Sequence, residues 1–113
     1  MLNNEDCIRL QHMLDAAQKA IDFTEKTSRT GLDSDEQLSL SLVRLLEIIG
    51  EAAKNVSDET RKRMPSIPWR EIAGTRDRLI HGYFDVDLNI VWKIVKSDLP
   101  PLVSQLQLML SQQ

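Results

Sequence analysis

Apolar residues recur at intervals of three and four along nearly the whole chain, which is the spacing of amphipathic helices. The first apolar stripe predicts a helix over residues 5–27, and Gly31 interrupts it. Ser34, with Gln37 three residues later, predicts a capping box for a second helix that runs to Val56. With a rise of about 1.5 Å per residue, this second helix is long enough to cross the whole domain.

The same spacing continues after the second helix in shorter pieces. Ser57 or Asp58 is placed to cap a short basic turn. The next apolar stripe predicts a helix over residues 67–81, in which Pro68 is tolerated in the first turn and Gly82 marks the end.

The last stripe begins after Asp87, which is predicted to cap it, and continues to the end of the chain. Pro100 and Pro101 must kink or restart this helix, because proline has no backbone N–H to donate. No segment alternates apolar and polar residues over a useful length. The sequence therefore predicts an all-α fold in one domain of residues 1–113, an up-and-down bundle of four main helices plus a short one.

The composition is that of a soluble globular protein, with 27% charged and 42% hydrophobic residues. No apolar run approaches the roughly 20 residues of a membrane span, and no leader segment opens the chain, so we expect a cytoplasmic protein. The single cysteine, Cys7, cannot form an intrachain disulfide. One cysteine and two histidines are too few for a structural zinc site, and His12, near the apolar face of the first helix, is predicted to be structural.

The apolar residues exceed what one thin layer of helices would hide, which favours association of two copies. Trp92 lies two positions away from the last apolar stripe and is a candidate for burial against a partner. We therefore expect a homodimer, with a well-packed monomer as the alternative.

The net charge of −3 does not indicate a protein that coats nucleic acid nonspecifically. The charge is unevenly distributed, since residues 61–78 contain only Glu71 and Asp77 as acids beside a larger set of bases: Arg61, Lys62, Arg63, Arg70, Arg76 and Arg78. A locally positive surface on an acidic body favours a confined site that handles phosphate, and a solvated charged face is the alternative.

The segment "GTRDRLIHGYFDVD" at residues 74–87 places Arg76 five residues before His81. If one straight helix carried both residues, they would point about 140° apart, with about 7.5 Å of rise between them. Both can serve one reaction only if the helix ends near His81 or if each meets its counterpart across an oligomer interface.

The chemistry of this pair suits cleavage of RNA without a metal. A histidine in the last helical turn lies beside the negative end of the helix dipole, which favours its protonated form. On the same helix Asp77 would share the face of His81 and could orient its ring. The guanidinium of Arg76 suits the charge of a phosphoryl group attacked by the neighbouring ribose 2′-hydroxyl. The alternative is that His81 caps the helix and Arg76 is solvated.

Four charged residues recur opposite the apolar stripe of the second helix: Arg44, Glu47, Glu51 and Lys54. They predict either an ion-pair ladder on a solvated face or the border of a cleft in which Glu51 positions Arg76. Gly50 in mid-helix costs about 1 kcal/mol relative to alanine, which predicts a close approach of another helix.

The order arginine, polar residue, three further residues, histidine, any residue and tyrosine occupies residues 76–83. Together with "IIGEAAKNVS" at 48–57 and "VWKIVKSDLPPL" at 91–102, it resembles the HepT-like branch of the HEPN superfamily. These are small all-α proteins of bacteria and archaea that are encoded beside minimal nucleotidyltransferases. The likeness covers the last two thirds of the chain in detail and the first helix in pattern only. Asp77 stands where many relatives carry asparagine.

The resemblance implies a metal-independent RNase toxin, a homodimer in which two Arg–His motifs line one cleft. It assigns catalysis to Arg76 and His81, and we expect Glu51, Asp77 and Arg78 to support them. It also implies that an MntA-like nucleotidyltransferase antitoxin, using ATP and Mg, transfers AMP onto Tyr83, whereas the chain itself needs no cofactor. Two alternatives are a binding module that docks the nucleotidyltransferase and accepts AMP, and a structural helical dimer.

Overall fold

The computed structural model describes residues 2–81 and 85–112, and at His81 it describes the backbone. Four helices occupy the first half: α1 (Asn4–Thr24), α2 (Arg29–Asp33), α3 (Glu36–Asn55) and α4 (Asp58–Arg61). The second half contains α5 (Trp69–Ala73), α6 (Thr75–Leu79), α7 (Leu88–Lys93), a π-helical segment (Ile94–Asp98) and α8 (Leu99–Ser111). A two-residue antiparallel pair, β1 (Ile80–His81) and β2 (Asp85–Val86), lies between α6 and α7. The prediction of an all-α fold is confirmed.

The long helices α1 and α3 form where the apolar stripes predict them, but the link between them differs from the prediction. Gly31 lies inside the short helix α2, whose cap Ser28 accepts a hydrogen bond from the Gly31 N–H at 3.2 Å. The hydroxyl of Ser34 donates to the carbonyl of Gly31, and Ser34 is the residue that ends α2. Asp35 caps α3 instead and accepts from the Leu38 N–H at 3.0 Å. The predicted capping box at Ser34 is therefore wrong by one residue.

The predicted helix over residues 67–81 is broken in two places. Gly74 separates α5 from α6, and its N–H donates to the carbonyl of Arg70 at 3.0 Å. After Leu79 the backbone becomes extended at Ile80, with φ −112° and ψ 118°. The pairing of Ile80 with Val86 replaces the next helical turn. The prediction that His81 is helical is therefore wrong, and the predicted stop at Gly82 lies outside the described residues.

The last helix begins and restarts as predicted. The carboxylate of Asp87 accepts from the N–H groups of Asn89 and Ile90 at 3.0 and 3.3 Å. Pro100 and Pro101 lie in the first turn of α8, and the turn before them is π-helical, with the Leu99 N–H bonded to the Ile94 carbonyl. Carbonyls that precede the prolines lack their α-helical donors, which accounts for the wider turn.

The core lies where α1, α3 and the C-terminal helix meet. Its fully buried side chains include Leu10, Met13, Leu42, Leu46, Val95 and Leu106. Trp92 is half-buried, with the ammonium of Lys96 4.9 Å from the centre of its ring. Its burial against a partner copy stays a prediction. Within the described ranges, no helix combines the length and the apolar character needed to cross a membrane.

Candidate functional site

Helix α6 carries the arginine of the motif and is fixed by its packing against α3. A Cβ atom on Gly50 would lie 3.0 Å from the carbonyl oxygen of Ile72, just before α6, so the close approach predicted at this glycine is confirmed. Thr75 and Leu79, one turn apart on α6, are both buried, and the hydroxyl of Thr75 donates to the Ile72 carbonyl at 2.6 Å. With this face buried, Arg76 and Asp77 are directed outward and are exposed.

Arg76 is on the outward part of α6, and its side chain is 71% exposed. Its Nε lies 3.8 Å from Oε2 of Glu47 on α3, which is an electrostatic contact longer than a hydrogen bond. The guanidinium therefore retains donors that can bind an anion from solvent.

The structure brings Glu47, rather than Glu51, to Arg76. The Oε1 of Glu51 accepts from Nδ2 of Asn55 at 3.4 Å, within α3. The close approach of the α5–α6 pair at Gly50 determines which turn of α3 lies beside Arg76. That turn contains Glu47, one helical turn before Glu51. A supporting role for Glu51 stays a prediction, and the structure shows no contact between Glu51 and Arg76 in the described residues. Glu47 and Glu51 are one helical turn apart on the same face of α3, so the spacing alone could not decide which of them meets Arg76.

His81 lies in β1, and its backbone pairs with that of Asp85. Because α6 ends at Leu79, neither the helix-dipole argument for His81 nor its shared helical face with Asp77 applies. On one straight helix Arg76 and His81 would point apart, and the structure removes this restriction because α6 ends before His81. Asp77 is exposed, and its role as ring orienter stays a prediction. The side chain of His81 and all of Tyr83 lie outside the described residues.

Arg78 diverges from Arg76 across α6. Residues two positions apart in an α-helix are rotated by about 200° around its axis, so the side chains of Arg76 and Arg78 leave nearly opposite sides of α6. Arg76 meets α3, whereas Arg78 is half-buried and lines a cavity beside α7. The two arginines therefore do not form one continuous cationic patch through α6.

The charged face of α3 borders a shallow groove against α1. Arg44, Glu47 and Glu51 line this groove together with His12 and Ile8. His12, expected near the apolar face of α1, is exposed instead. Within residues 2–81 and 85–112, no ion pair joins two members of the predicted ladder, so the border of a groove describes this face better than a ladder does.

No described group of three or more histidine, cysteine, aspartate or glutamate side chains is arranged to hold a metal ion. The metal independence of the proposed reaction stays a prediction for experiment.

Comparison with known proteins identifies the family. The model of the ribonuclease HepT-like family matches residues 13–109, which include the whole arginine–histidine–tyrosine motif. A probable ribonuclease HepT of Thermococcus cleftensis is 41% identical over 93 residues, which cover 82% of this chain and 84% of that protein. No solved structure matches the chain.

Two further relatives are similar over nearly the same region. A putative RNase of Caldanaerobacter subterraneus is 40% identical over 98 residues, covering 87% of this chain and 88% of the relative. A putative RNase of Methanocaldococcus jannaschii is 34% identical over 99 residues, covering 88% of this chain and 91% of the relative. The chain therefore belongs to the HepT-like ribonuclease family.

Proposed function

We propose that this protein is the RNase toxin of a HepT/MntA-type toxin–antitoxin system and cleaves RNA with Arg76 and His81. The observation that carries the proposal is the complete Arg76–His81–Tyr83 spacing in a member of this family. The relatives named as ribonucleases support RNA as the substrate.

The proposed reaction is attack of a ribose 2′-oxygen on the adjacent phosphorus. The new bond joins the 2′-oxygen to phosphorus, and the bond from phosphorus to the 5′-oxygen breaks. The 2′-hydroxyl loses one proton and the leaving 5′-oxygen gains one. His81 takes up the first as a base or supplies the second as an acid, and water exchanges the other; imidazole suits either role because it titrates near neutral pH. Arg76 stays charged and binds the non-bridging phosphate oxygens as negative charge accumulates on them. The products are a 2′,3′-cyclic phosphate and a 5′-hydroxyl.

The backbone of the motif is compatible with this division of roles. Arg76 is held at the surface of α6, and the end of α6 at Leu79 releases His81 from the helical angle that separated the two residues. In the proposed homodimer, the motifs of both copies line one cleft. The proposed antitoxin, a nucleotidyltransferase that uses ATP and Mg, inactivates the cleft by adding AMP to Tyr83.

The test is RNA cleavage by the purified protein in the presence of EDTA. Arg76→Ala and His81→Ala should each slow cleavage by about 100-fold or more, with unchanged helical content. Arg70→Ala is the matched control, because Arg70 is an exposed arginine of the same basic segment on α5. Wild-type products should carry 2′,3′-cyclic phosphate ends.

Strict dependence on a divalent metal would contradict the mechanism. Wild-type rates in either motif variant would contradict the assigned roles. A wild-type protein that binds the nucleotidyltransferase and accepts AMP, but cleaves no RNA, would favour the binding module instead.

A further inference from the structure

The β1–β2 pair carries His81, and it is too short to hold this residue in place by itself. Ile80 pairs with Val86 and His81 pairs with Asp85, so each strand has only two residues. Even a longer two-stranded pair is only marginally stable in water unless it packs against other elements. The position of His81 relative to Arg76 therefore depends on contacts outside the two strands.

One such contact closes the pair at its base, directly outside the two strands. The backbone N–H of Asp87 donates to the carbonyl of Leu79 at 2.8 Å. Leu79 is the last residue of α6 and is fully buried, and a carbonyl at the end of a helix lacks a donor within that helix. The bond therefore attaches the residue that follows β2 to the end of the helix that carries Arg76.

The side chain of Asp87 acts on the next helix. Its Oδ1 atom accepts from the N–H groups of Asn89 and Ile90 at 3.0 and 3.3 Å, which makes Asp87 the N-cap of α7. An N-cap residue keeps a non-helical backbone while the residues after it are helical. At Asp87 φ is −83° and ψ is 97°, and in this conformation its own N–H reaches Leu79. One residue thus closes the β1–β2 pair with its backbone and begins α7 with its side chain.

The start of α7 is itself fixed to the body of the protein. Val91 is fully buried, and Oδ1 of Asn89 accepts from Nε of Arg29 in α2 at 2.7 Å. Because α7 is anchored in this way, the residue that caps it has a defined position. Asp87 therefore connects the β1–β2 pair to two fixed elements, to α6 through its N–H and to α7 through its carboxylate.

We infer that Asp87 is a positioning residue for His81. Its carboxylate holds the turn into α7, its N–H holds the base of the β1–β2 pair, and together they set where the backbone of His81 lies relative to Arg76. The inference rests on the proposed function, because it adds a residue to the same site. The role depends on an oxygen that accepts hydrogen bonds and not on the negative charge, so Asp87→Asn should preserve it.

The experiment compares steady-state cleavage of RNA by Asp87→Ala and Asp87→Asn with that by wild type. Asp87→Ala should lower kcat by about tenfold or more, because a displacement of about 1 Å at a reacting group costs up to about 100-fold in rate. Its KM should change by less than about twofold, since His81 acts in proton transfer and not in RNA binding. Asp87→Asn keeps the capping oxygen and should stay within about threefold of the wild-type kcat.

Asp35→Ala is the matched control for the loss of a cap. Asp35 is the N-cap of α3 and accepts from the Leu38 N–H at 3.0 Å. Asp35→Ala and Asp87→Ala should both lower stability in urea denaturation, but only Asp87→Ala should lower kcat. The double variant of Asp87→Ala and His81→Ala tests the route of the effect. It should cleave RNA no more slowly than His81→Ala alone, because residues that act through one another are not additive.

Hydrogen exchange followed by NMR tests the same placement without RNA. The N–H at position 87 is protected by its bond to Leu79. In Asp87→Ala it should exchange about fivefold or more faster relative to its intrinsic rate, because loss of the cap loosens the turn. Asp87→Asn and Asp35→Ala should match wild type.

Unchanged exchange in Asp87→Ala overturns the inference. A wild-type kcat in Asp87→Ala overturns it too, as does an equal loss of kcat in Asp35→Ala or in Asp87→Asn, or a further loss in the double variant. If wild type cleaves no RNA, the proposed function fails. The exchange rates alone then decide whether Asp87 sets the position of the His81 backbone.

Discussion

Arg76 of α6 meets Glu47 of α3, with Nε of the arginine 3.8 Å from Oε2 of the glutamate, although Arg76 is largely exposed. An ion pair of this kind contributes roughly 0–1 kcal/mol to stability, so it does not hold α6 in place. Its effect is on the proposed site. The negative charge of the carboxylate beside the guanidinium lowers the positive electrostatic potential that would attract an RNA phosphate.

Glu47→Gln should therefore strengthen RNA binding rather than weaken it. Removing the negative charge leaves Arg76 and its surroundings more positive, and the lower KM for RNA should be clearest at low ionic strength. The free energy of unfolding should change by less than about 1 kcal/mol. Steady-state cleavage at two salt concentrations and urea denaturation measure the two effects.

Glu59→Gln is the control for net charge, because Glu59 is an exposed acid on α4 outside the groove. It should leave the KM unchanged at both salt concentrations. A higher KM in Glu47→Gln would show instead that Glu47 orients Arg76, and this outcome would contradict the prediction.

Gly50→Ala should destabilise the protein despite the better helix propensity of alanine. The new Cβ would lie 3.0 Å from the Ile72 carbonyl, a backbone atom that moves only if α3 and α5 separate. Overpacking of this kind costs about 1–3 kcal/mol, which exceeds the roughly 1 kcal/mol gained from helix propensity. Because α6 follows directly, RNA cleavage should fall together with stability.

Gly74→Ala is the matched comparison for this prediction. The nearest atom to its Cβ would be the Arg70 carbonyl oxygen at 3.4 Å, and the backbone has an ordinary negative φ of −90°. Alanine at position 74 should therefore be tolerated within about 1 kcal/mol in urea denaturation. Equal destabilisation by Gly50→Ala and Gly74→Ala would contradict the prediction that the close approach of α3 to α5 requires glycine at position 50.

The sequence predicted the elements that are encoded by long periodic stripes or by a cap. The helices α1 and α3 and the cap at Asp87 follow from such local signals. Of the two residues predicted to cap the short basic turn, Ser57 and Asp58, the structure selects Ser57. The restart at Pro100 was predictable for the same reason, since a missing N–H acts on its own helix.

The sequence did not reveal features decided by tertiary contacts. Residues 67–81 have a helical apolar spacing, but the pairing of Ile80 with Val86 takes the chain out of the helix after Leu79. The contact of Arg76 with Glu47 depends on where α6 crosses α3, and Gly50 marked the crossing but not its direction. The motif itself was found from its residue order, which depends on no helical geometry.

Asp6 forms a buried clamp between the start of α1 and the start of α4. Its carboxylate accepts from the backbone N–H of Ser57 at 3.1 Å and from the hydroxyls of Ser57 and Thr60. Asp6→Asn should lower the free energy of unfolding by about 1–3 kcal/mol, because an amide cannot accept all of these donors. Asp15→Asn, at an exposed position of the same helix, should have an effect below about 0.5 kcal/mol in urea denaturation.

The same carboxylate makes stability depend on pH. Burial raises the pKa of Asp6, but hydrogen bonds from Ser57 and Thr60 and the charge of Arg9 outweigh it and hold the pKa below its usual value. Since the unfolded pKa is about 3.9, the stabilisation is complete well above that pH and is lost as the pH falls through the lower folded pKa. The difference between wild type and Asp6→Asn should shrink in acid. A constant difference from neutral pH to acid would contradict this linkage.

Tyr83 is the only tyrosine of the chain, which makes the proposed AMP transfer testable at a single atom. Its phenol oxygen would attack the α-phosphorus of ATP, lose its proton and release pyrophosphate. The adduct adds one negative charge and an adenosine two residues from His81, where it would exclude an RNA phosphate. Co-expression with a MntA-like nucleotidyltransferase should raise the mass of the chain by whole AMP units on the peptide 79–87. Cleavage of RNA should be lost without loss of helical content.

Tyr83→Phe differs only in the hydroxyl and should keep its mass and its cleavage rate under the same conditions. AMP on a serine or threonine of Tyr83→Phe, or unchanged cleavage by the modified wild type, would contradict the assignment.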